Sequence, residues 1–141
     1  MAIGDSLYMA EMRRAQTLLR VAERPAGAVF LIDEIFRGTN HVESVAGAAA
    51  VLNRLASAGL LIVSSHNVVL APLLRARLVP RRMVRAGARG LALEAGVLQA
   101  PNGLAMMRHY AIPDAVRDEA QRVHDWFAGH VATPITFPSL A

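Results

Sequence analysis

The chain has 141 residues, of which 54% are apolar and 18% charged, with no Cys and a formal net charge of +4. This composition is typical of a single core-forming domain, and it excludes a disordered chain, a fibrous repeat, a disulfide framework and a Cys-based zinc site. All 15 basic residues are Arg, which excludes Schiff-base lysine chemistry and any complete GxxxxGK[ST] phosphate loop.

The apolar stretches are shorter than the roughly 20 residues of a membrane-spanning helix, and no export signal opens the sequence. We therefore expect a cytoplasmic protein without a membrane partner. The basic balance raises the alternative of a DNA-binding domain. The arginines are scattered, however, and no predicted helix clusters them or interleaves them with aromatic residues, so this alternative ranks last.

The first half of the sequence predicts two strands among helices. Apolar positions at helical spacing predict a helix from Ser6 to about Arg24, and the apolar run from Ala28 to Ile32 predicts a strand buried on both sheet faces. An Ala-rich helix from about Val42 to Ala58, an apolar strand from Leu60 to Val63 and a helix from about Val68 to Arg75 follow. Strand, helix and strand in this order predict a parallel pair with a right-handed crossover.

The second half of the sequence predicts a hairpin and two further helices. Short mixed segments at Arg81 to Ala86 and Gly90 to Glu94 are separated by glycine, which favours antiparallel strands. Helices are predicted from Asn102 to Tyr110 and from Pro113 to Phe127, the second with Pro at its first turn. The tail from Gly129 to Ala141 is predicted to be irregular.

Two carboxylates, Asp33 and Glu34, directly follow the first predicted strand. An apolar strand ending in two acids is the Walker B arrangement, in which the first acid holds Mg²⁺ and the second orients or deprotonates the attacking water. His66 follows the second strand, so the carboxyl ends of a parallel pair would bring all three side chains to one edge. The alternatives are an acidic pair that merely ends a strand and a His with a structural polar role.

These residues carry a resemblance to a known family. The segment Phe30-Leu-Ile-Asp-Glu-Ile-Phe-Arg-Gly-Thr-Asn40, followed by Ser64-Ser-His66, resembles the C-terminal ATPase domain of MutS-like proteins, which are ABC-class P-loop ATPases. Ser6-Leu-Tyr-Met-Ala-Glu-Met12 resembles the signature region of that family. The RGTN form, with Phe36 where mismatch-repair members typically have Gly, is more similar to MutS-related ATPases that lack a mismatch-reading domain.

The resemblance implies an α/β fold. Residues 1–128 would form the C-terminal part of a P-loop NTPase domain of ABC type, with parallel strands flanked by helices, a C-terminal hairpin and a helical end; residues 129–141 would be the tail. The Walker A segment of the family would precede Met1. We therefore expect the chain to be the C-terminal part of a longer protein or a truncated copy.

The resemblance also implies roles for individual residues. Asp33 would help to hold Mg²⁺, Glu34 would position or activate the hydrolytic water, and His66 would contact the γ-phosphate of ATP. Ser6, at a helix N-terminus, would contact the nucleotide of a partner subunit; an ordinary helix cap is the alternative.

The loop after the two acids would cross the dimer interface. Gly38 would permit its turn, and Thr39 and Asn40 would lie toward the opposite nucleotide site; a plain turn is the alternative. Arg37 would either pair with an acid such as Glu34 or be solvated, and the sequence favours neither.

As a whole, the resemblance implies an ATPase that binds and hydrolyses ATP with Mg²⁺ at two composite sites of a homodimer. The hydrolysis would be coupled, through other domains of the parent protein, to DNA binding or to transactions related to mismatch repair. The chain alone is expected to be inactive because Walker A is absent. The alternative is a non-catalytic dimerisation or interaction module that retains the fold without nucleotide turnover.

Overall fold

The computed structural model describes residues 7–88, 90–98 and 103–131, and side chains as far as residue 128. The described residues form one compact unit up to Val97 and a second from Leu98 onward. Their secondary structure consists of five helices and four strands, in the order α1 (Leu7–Ala22), β1 (Ala28–Asp33), α2 (His41–Ala58), β2 (Gly59–Ser64), α3 (Leu70–Leu73), β3 (Arg81–Ala86), β4 (Gly90–Ala95), α4 (Gly103–His109) and α5 (Asp114–Val131).

Strands β1 and β2 form the predicted parallel pair, in a register that runs from Ala28 opposite Gly59 to Asp33 opposite Ser64. Helix α2 connects the two strands, and Gly59 ends the helix and begins β2. A Cβ atom at Gly59 would lie 2.1 Å from the carbonyl oxygen of Ala28. The direct step from α2 into β2 therefore requires a glycine at this position, because the neighbouring strand approaches so closely.

One face of the parallel pair lies against the core of the first unit. Phe30 and Leu61 point from this face into a buried cluster with α2, where Leu52 and Leu55 have no exposed surface. Ala15 of α1 belongs to the same cluster. Burial of apolar side chains on one face of each element therefore accounts for how helices and strands of this unit pack together.

The opposite face of the parallel pair is exposed, which contradicts the prediction of strands buried on both faces. Alternate residues of each strand point outward and are between 59% and 73% exposed, namely Val29, Leu31, Leu60 and Ile62. An apolar run predicts a strand but does not specify what covers it. Within the described part of the chain, the helices cover the inner face alone.

The remaining elements agree with the sequence in type and differ in extent. Helix α3 has four residues and is shorter than predicted. The hairpin β3–β4 is antiparallel, with Arg81 opposite Ala95 and Ala86 opposite Gly90, as expected. Helix α5 continues to Val131, so residues 129–131 are helical and the prediction of an irregular segment there is wrong. The rest of the predicted tail lies outside the described residues.

The chain is a mixed α/β protein with a small parallel sheet, an antiparallel pair and helices. In the parts of the chain that the structure describes, no helix is both long and apolar enough to cross a bilayer.

Candidate functional site

The carboxyl ends of β1 and β2 bring together the side chains that the sequence singled out. Asp33 and Ser64 face each other across the last rung of the parallel ladder. The main-chain N–H of Glu34 continues this ladder and donates to the carbonyl of Ser64 at 3.1 Å. The predicted meeting of Asp33, Glu34 and His66 at one edge of the sheet is therefore present in the structure.

The carboxylate of Glu34 is held by the turn that follows β2. The main-chain N–H of His66 donates to Glu34 Oε1 at 3.0 Å, and His66 Nδ1 lies 3.0 Å from the same oxygen. The hydroxyl of Ser65 donates to Oε2 over a longer distance of 3.3 Å. Two of these contacts converge on Oε1, which leaves Oε2 as the oxygen with capacity to accept a further hydrogen bond.

The backbone of Glu34 adopts a left-handed conformation, with φ of 57°. This region is unfavourable for a residue that carries a Cβ, and it persists only where the surroundings fix it. Here the ladder bond to Ser64 and the contacts with His66 fix both the backbone and the side chain. The strain therefore lies at the residue for which the sequence predicts catalysis, which is where strained backbone often occurs in enzymes.

Asp33 accepts a hydrogen bond from the hydroxyl of Ser64. A carboxylate beside a hydroxyl offers hard oxygen ligands, which suit Mg²⁺ when water and phosphate oxygens complete the shell. No group of three or more acidic, His or Cys residues that could enclose a metal occurs among the described residues. A site for Mg²⁺ with one or two protein ligands does not need such a group, so the residues present fit this ion.

His66 is much more accessible than Glu34, since its side chain is 70% exposed while that of Glu34 is 18% exposed. If Nδ1 carries the proton shared with Glu34, Nε2 of the neutral ring is an acceptor. Only the imidazolium form then donates from both nitrogens, to Glu34 and to an anion outside. With this tautomer, the ring donates to a phosphate only as the imidazolium.

A buried carboxylate, Glu11 of α1, fixes the loop that follows the two acids. Glu11 is 8% exposed, and its two oxygens accept the main-chain N–H groups of Arg37 and Gly38, each at 3.0 Å. Gly38 lies so close to α1 that a Cβ there would be 2.5 Å from the main-chain nitrogen of Tyr8. This close approach to α1 requires a glycine at position 38, whereas its predicted role in a loop that crosses a dimer interface stays a prediction.

The same loop places an aromatic ring in the core. Phe36 is buried with φ of 58°, and its ring meets that of Tyr8 edge to face at a centroid distance of 6.1 Å. Phe36 also packs against Gly47, where a Cβ would lie 3.1 Å from the ring. Tyr8 therefore packs on the loop after β1.

Thr39 and Asn40 build the start of α2. The side-chain oxygen of Asn40 accepts the N–H of Glu43 at 3.0 Å, which is an N-cap, and Thr39 donates to the Glu43 carboxylate at 2.6 Å. The side chain of Arg37 is exposed and forms no ion pair with any residue that the structure describes. The structure thus gives the loop residues local structural roles, and their contact with a partner subunit stays a prediction.

A cleft of about 220 Å³ lies between α1 and the end of β1. Its charged lining includes Glu11, Arg14, Asp33, Glu34 and Arg37. Pockets that enclose a drug-sized ligand usually measure about 300 Å³ or more. This cleft is therefore smaller than a pocket that encloses a ligand of that size.

Sequence reasoning assigned no role to Glu11, Ser64 or Ser65, although all three hold the site together. The signal for the serines was their place beside His66 at the strand end. For Glu11 the signal was an acid on the apolar face of α1, in step with Ala15 one turn later. Ser6 lies outside the described residues, so its predicted contact with a partner subunit remains a prediction.

Comparison with known proteins gives no assignment: no protein-family model matches the sequence, and no curated protein matches it either.

Proposed function

We propose that this chain is the C-terminal part of a MutS-like, ABC-class ATPase that binds and hydrolyses ATP with Mg²⁺ at composite sites of a homodimer. The observation that carries the proposal is the strained Glu34, whose carboxylate is held by the turn after the neighbouring parallel strand. Asp33 precedes Glu34 in the chain and His66 contacts its carboxylate, which is compatible with the Walker B pair and the γ-phosphate contact that the resemblance implies. The P-loop NTPase fold and the coupling to DNA are part of the proposal by resemblance.

Each of the three residues has a task in this chemistry. Asp33 would hold Mg²⁺, which would neutralise part of the phosphate charge. Glu34 has one oxygen occupied by His66, and its Oε2 can accept the proton of a water molecule. His66 projects from the edge and, in its imidazolium form, donates to developing charge on the phosphate.

The Glu11 clamp extends this arrangement to α1. Helix α1 contains most of the segment that resembles the signature region, including Glu11 itself, and the loop at Arg37 and Gly38 lies shortly after the acids. Because Glu11 binds both N–H groups of this loop, α1 and the catalytic edge have a fixed geometry. In the proposed dimer, each subunit has residues that contact its own nucleotide and residues that contact the nucleotide of the partner. These two sets of residues would move together.

The direct test is Glu34→Gln in the protein that carries this chain together with a Walker A segment. The amide keeps the shape of the side chain but removes the base, so ATP hydrolysis should fall about 10²-fold to 10⁴-fold. ATP-dependent dimerisation should persist, as measured by sedimentation. Glu23→Gln, an exposed position just after α1, is the matched control and should keep the wild-type rate.

Two results would overturn the proposal. One is hydrolysis by the Glu34→Gln protein at the wild-type rate, and the other is failure of the wild-type protein to bind ATP. The chain alone should show little turnover, because it has no Lys and thus no Walker A Lys to hold the β- and γ-phosphates.

Ser6→Asp tests the trans contact. Asp caps a helix about as well as Ser, but it places negative charge against the γ-phosphate of the partner's ATP. The protein should fold, bind ATP and fail to form the ATP-bound dimer. Normal melting together with normal dimerisation would reduce Ser6 to a helix cap.

A second candidate, a non-catalytic association module, is favoured by the exposed apolar face of β1–β2. Parallel sheets are almost always covered on both faces. This candidate predicts self-association that is independent of ATP and unaffected by Glu34→Gln.

A further inference from the structure

Two serines at the end of β2 contact the two acids at the end of β1, one each. The hydroxyl of Ser64 donates to Oδ1 of Asp33, its partner in the last rung of the parallel ladder. The hydroxyl of Ser65, the next residue along the chain, donates to Oε2 of Glu34 at 3.3 Å. Each acid therefore has its own hydroxyl partner on the neighbouring strand end.

The bond from Ser64 leaves one oxygen of Asp33 for an outside ligand. A serine hydroxyl has a single proton, so Ser64 has no second proton to donate while it serves Asp33. The bond engages Oδ1, and within the part of the chain that the structure describes Oδ2 keeps both of its lone pairs. Hydrogen-bond partners of this kind hold a carboxylate ligand in the orientation that metal binding needs.

The hydroxyl of Ser65 is itself oriented by the backbone that follows it. The main-chain N–H of Asn67 donates to Ser65 Oγ at 3.1 Å. This bond takes up a lone pair of the hydroxyl, so the proton is directed away from Asn67 and toward Glu34. Because His66 donates to Oε1 and Ser65 to Oε2, both oxygens of the carboxylate have a donor and its plane is fixed. A lone pair of Oε2 remains for a water molecule.

We infer that Ser64 and Ser65 are positioning residues that assign the two acids to separate tasks. Ser64 orients Asp33 toward Mg²⁺, and Ser65 orients Glu34 toward the hydrolytic water. The inference rests on the proposed ATPase function and adds two residues that act through the acids. It predicts that the two hydroxyls have separable effects: loss of the first weakens metal binding, and loss of the second slows the chemical step.

The metal part is tested on this chain alone by NMR of the isotope-labelled protein, with Mn²⁺ as a paramagnetic probe. In the wild type, the amide signal of Asp33 should broaden at a lower Mn²⁺ concentration than that of Glu23, an exposed acid just after α1. Ser64→Ala should raise the concentration needed at Asp33 by about tenfold, the low end of the usual range for such partners, because Asp33 is exposed. Ser65→Ala should leave it unchanged.

The catalytic part is tested in the protein that carries this chain together with a Walker A segment. Ser64→Ala should raise the Mg²⁺ concentration for half-maximal ATP hydrolysis by about tenfold, with kcat nearly unchanged at saturating Mg²⁺. Ser65→Ala should lower kcat by about twofold to tenfold, the range that one hydrogen bond contributes. The KM for ATP and the Mg²⁺ requirement of this variant should stay at the wild-type values.

Three control variants separate the hydroxyl from the rest of the side chain. Ser64→Thr and Ser65→Thr keep the hydroxyl and should restore the wild-type values. Ser57→Ala removes an exposed hydroxyl of α2, which donates to the main-chain carbonyl of Arg54 at 2.7 Å, and it should behave like the wild type. Both test serines are exposed, so all variants should fold, as thermal melts will check.

Several results would overturn the inference and leave the proposed function intact. In a protein whose hydrolysis depends on Glu34, these are an unchanged Mg²⁺ requirement in Ser64→Ala, a wild-type kcat in Ser65→Ala, and Thr variants that behave like the Ala variants. Broadening at Asp33 that is no stronger than at Glu23 would also overturn it. Failure of the wild-type protein to bind ATP would overturn the proposed function, and this inference with it.

Discussion

The two strand pairs of this chain have the same length but differ in what they bury and what they expose. Each strand of β1–β2 and of β3–β4 has six residues. The parallel pair buries Phe30 and Leu61 in a core, and its polar groups are concentrated at one end, where strained backbone and hydrogen bonds hold Glu34. The antiparallel pair exposes the face that carries Arg81 and Arg85, and neither side chain forms an ion pair with a residue that the structure describes. In the first region packing in the core fixes the strands, whereas in the second the backbone ladder and the salt bridge between Arg82 and Glu94 hold them together.

The largest effect is expected in the core that supports the parallel pair. Leu52→Ala removes a side chain with no exposed surface and should lower the free energy of unfolding by about 2–5 kcal/mol. The comparison variant is Leu93→Ala, at a position in β4 that is 66% exposed, which should cost less than about 0.5 kcal/mol. Denaturation of the full chain in urea measures both. Equal losses would contradict the contrast between the two regions.

The next effect concerns the clamp between α1 and the loop. Glu11→Gln leaves one acceptor oxygen and turns an amide N–H toward a main-chain N–H of the loop. The substitution should therefore lower the free energy of unfolding by about 1–3 kcal/mol. Hydrogen exchange at the amides of Arg37 and Gly38 should become faster, while exchange in β3 should not change. Glu23→Gln is the exposed control. A Glu11→Gln chain with wild-type stability and protection would show that the clamp does not hold the loop.

A smaller effect is expected at the start of α2. Asn40→Ala removes the N-cap bond to Glu43 and should cost about 1 kcal/mol, whereas Asn40→Asp should be nearly neutral because Asp caps equally well. Thermal melts of both variants decide the matter. If both substitutions cost the same, the side chain of Asn40 acts through something other than capping.

The smallest effect is expected in the hairpin. The pair between Arg82 and Glu94 is partly exposed, so Glu94→Gln should cost about 0.2–1 kcal/mol. The difference from wild type should shrink at about 1 M salt, where the Debye length is about 3 Å. A loss above that range that persists in high salt would mean that the hairpin relies on this pair as strongly as the parallel unit relies on its core.

The sequence was informative where a pattern has one physical meaning. The apolar runs ending at Asp33 and Ser64 predicted parallel strands, and parallel strands bring their carboxyl ends together, so the meeting of Glu34 and His66 could be predicted. The hairpin was predicted from local chemistry in the same way, whereas the helix cap at Asn40 was not predicted.

Other features depend on contacts that no local pattern encodes. The two bonds from Glu11 join residues that are 26 and 27 positions apart, and a helical acid is ordinarily solvated. The left-handed backbone of Glu34 arises from tertiary restraint, because a non-glycine residue disfavours it. The exposed outer face of β1–β2 was not predicted. An apolar run indicates that both faces of a strand favour burial, but it does not identify the element that covers each face.

The exposed face of β1–β2 affects how strongly molecules of this chain associate in solution. Val29, Leu31, Leu60 and Ile62 form a continuous apolar surface on neighbouring strands, and exposed apolar surface on a sheet promotes sticking between molecules. With a net charge of +4, repulsion opposes this attraction in dilute buffer and weakens as salt screens it. Light scattering of the purified chain should therefore rise with ionic strength, so that salt drives molecules together at this face.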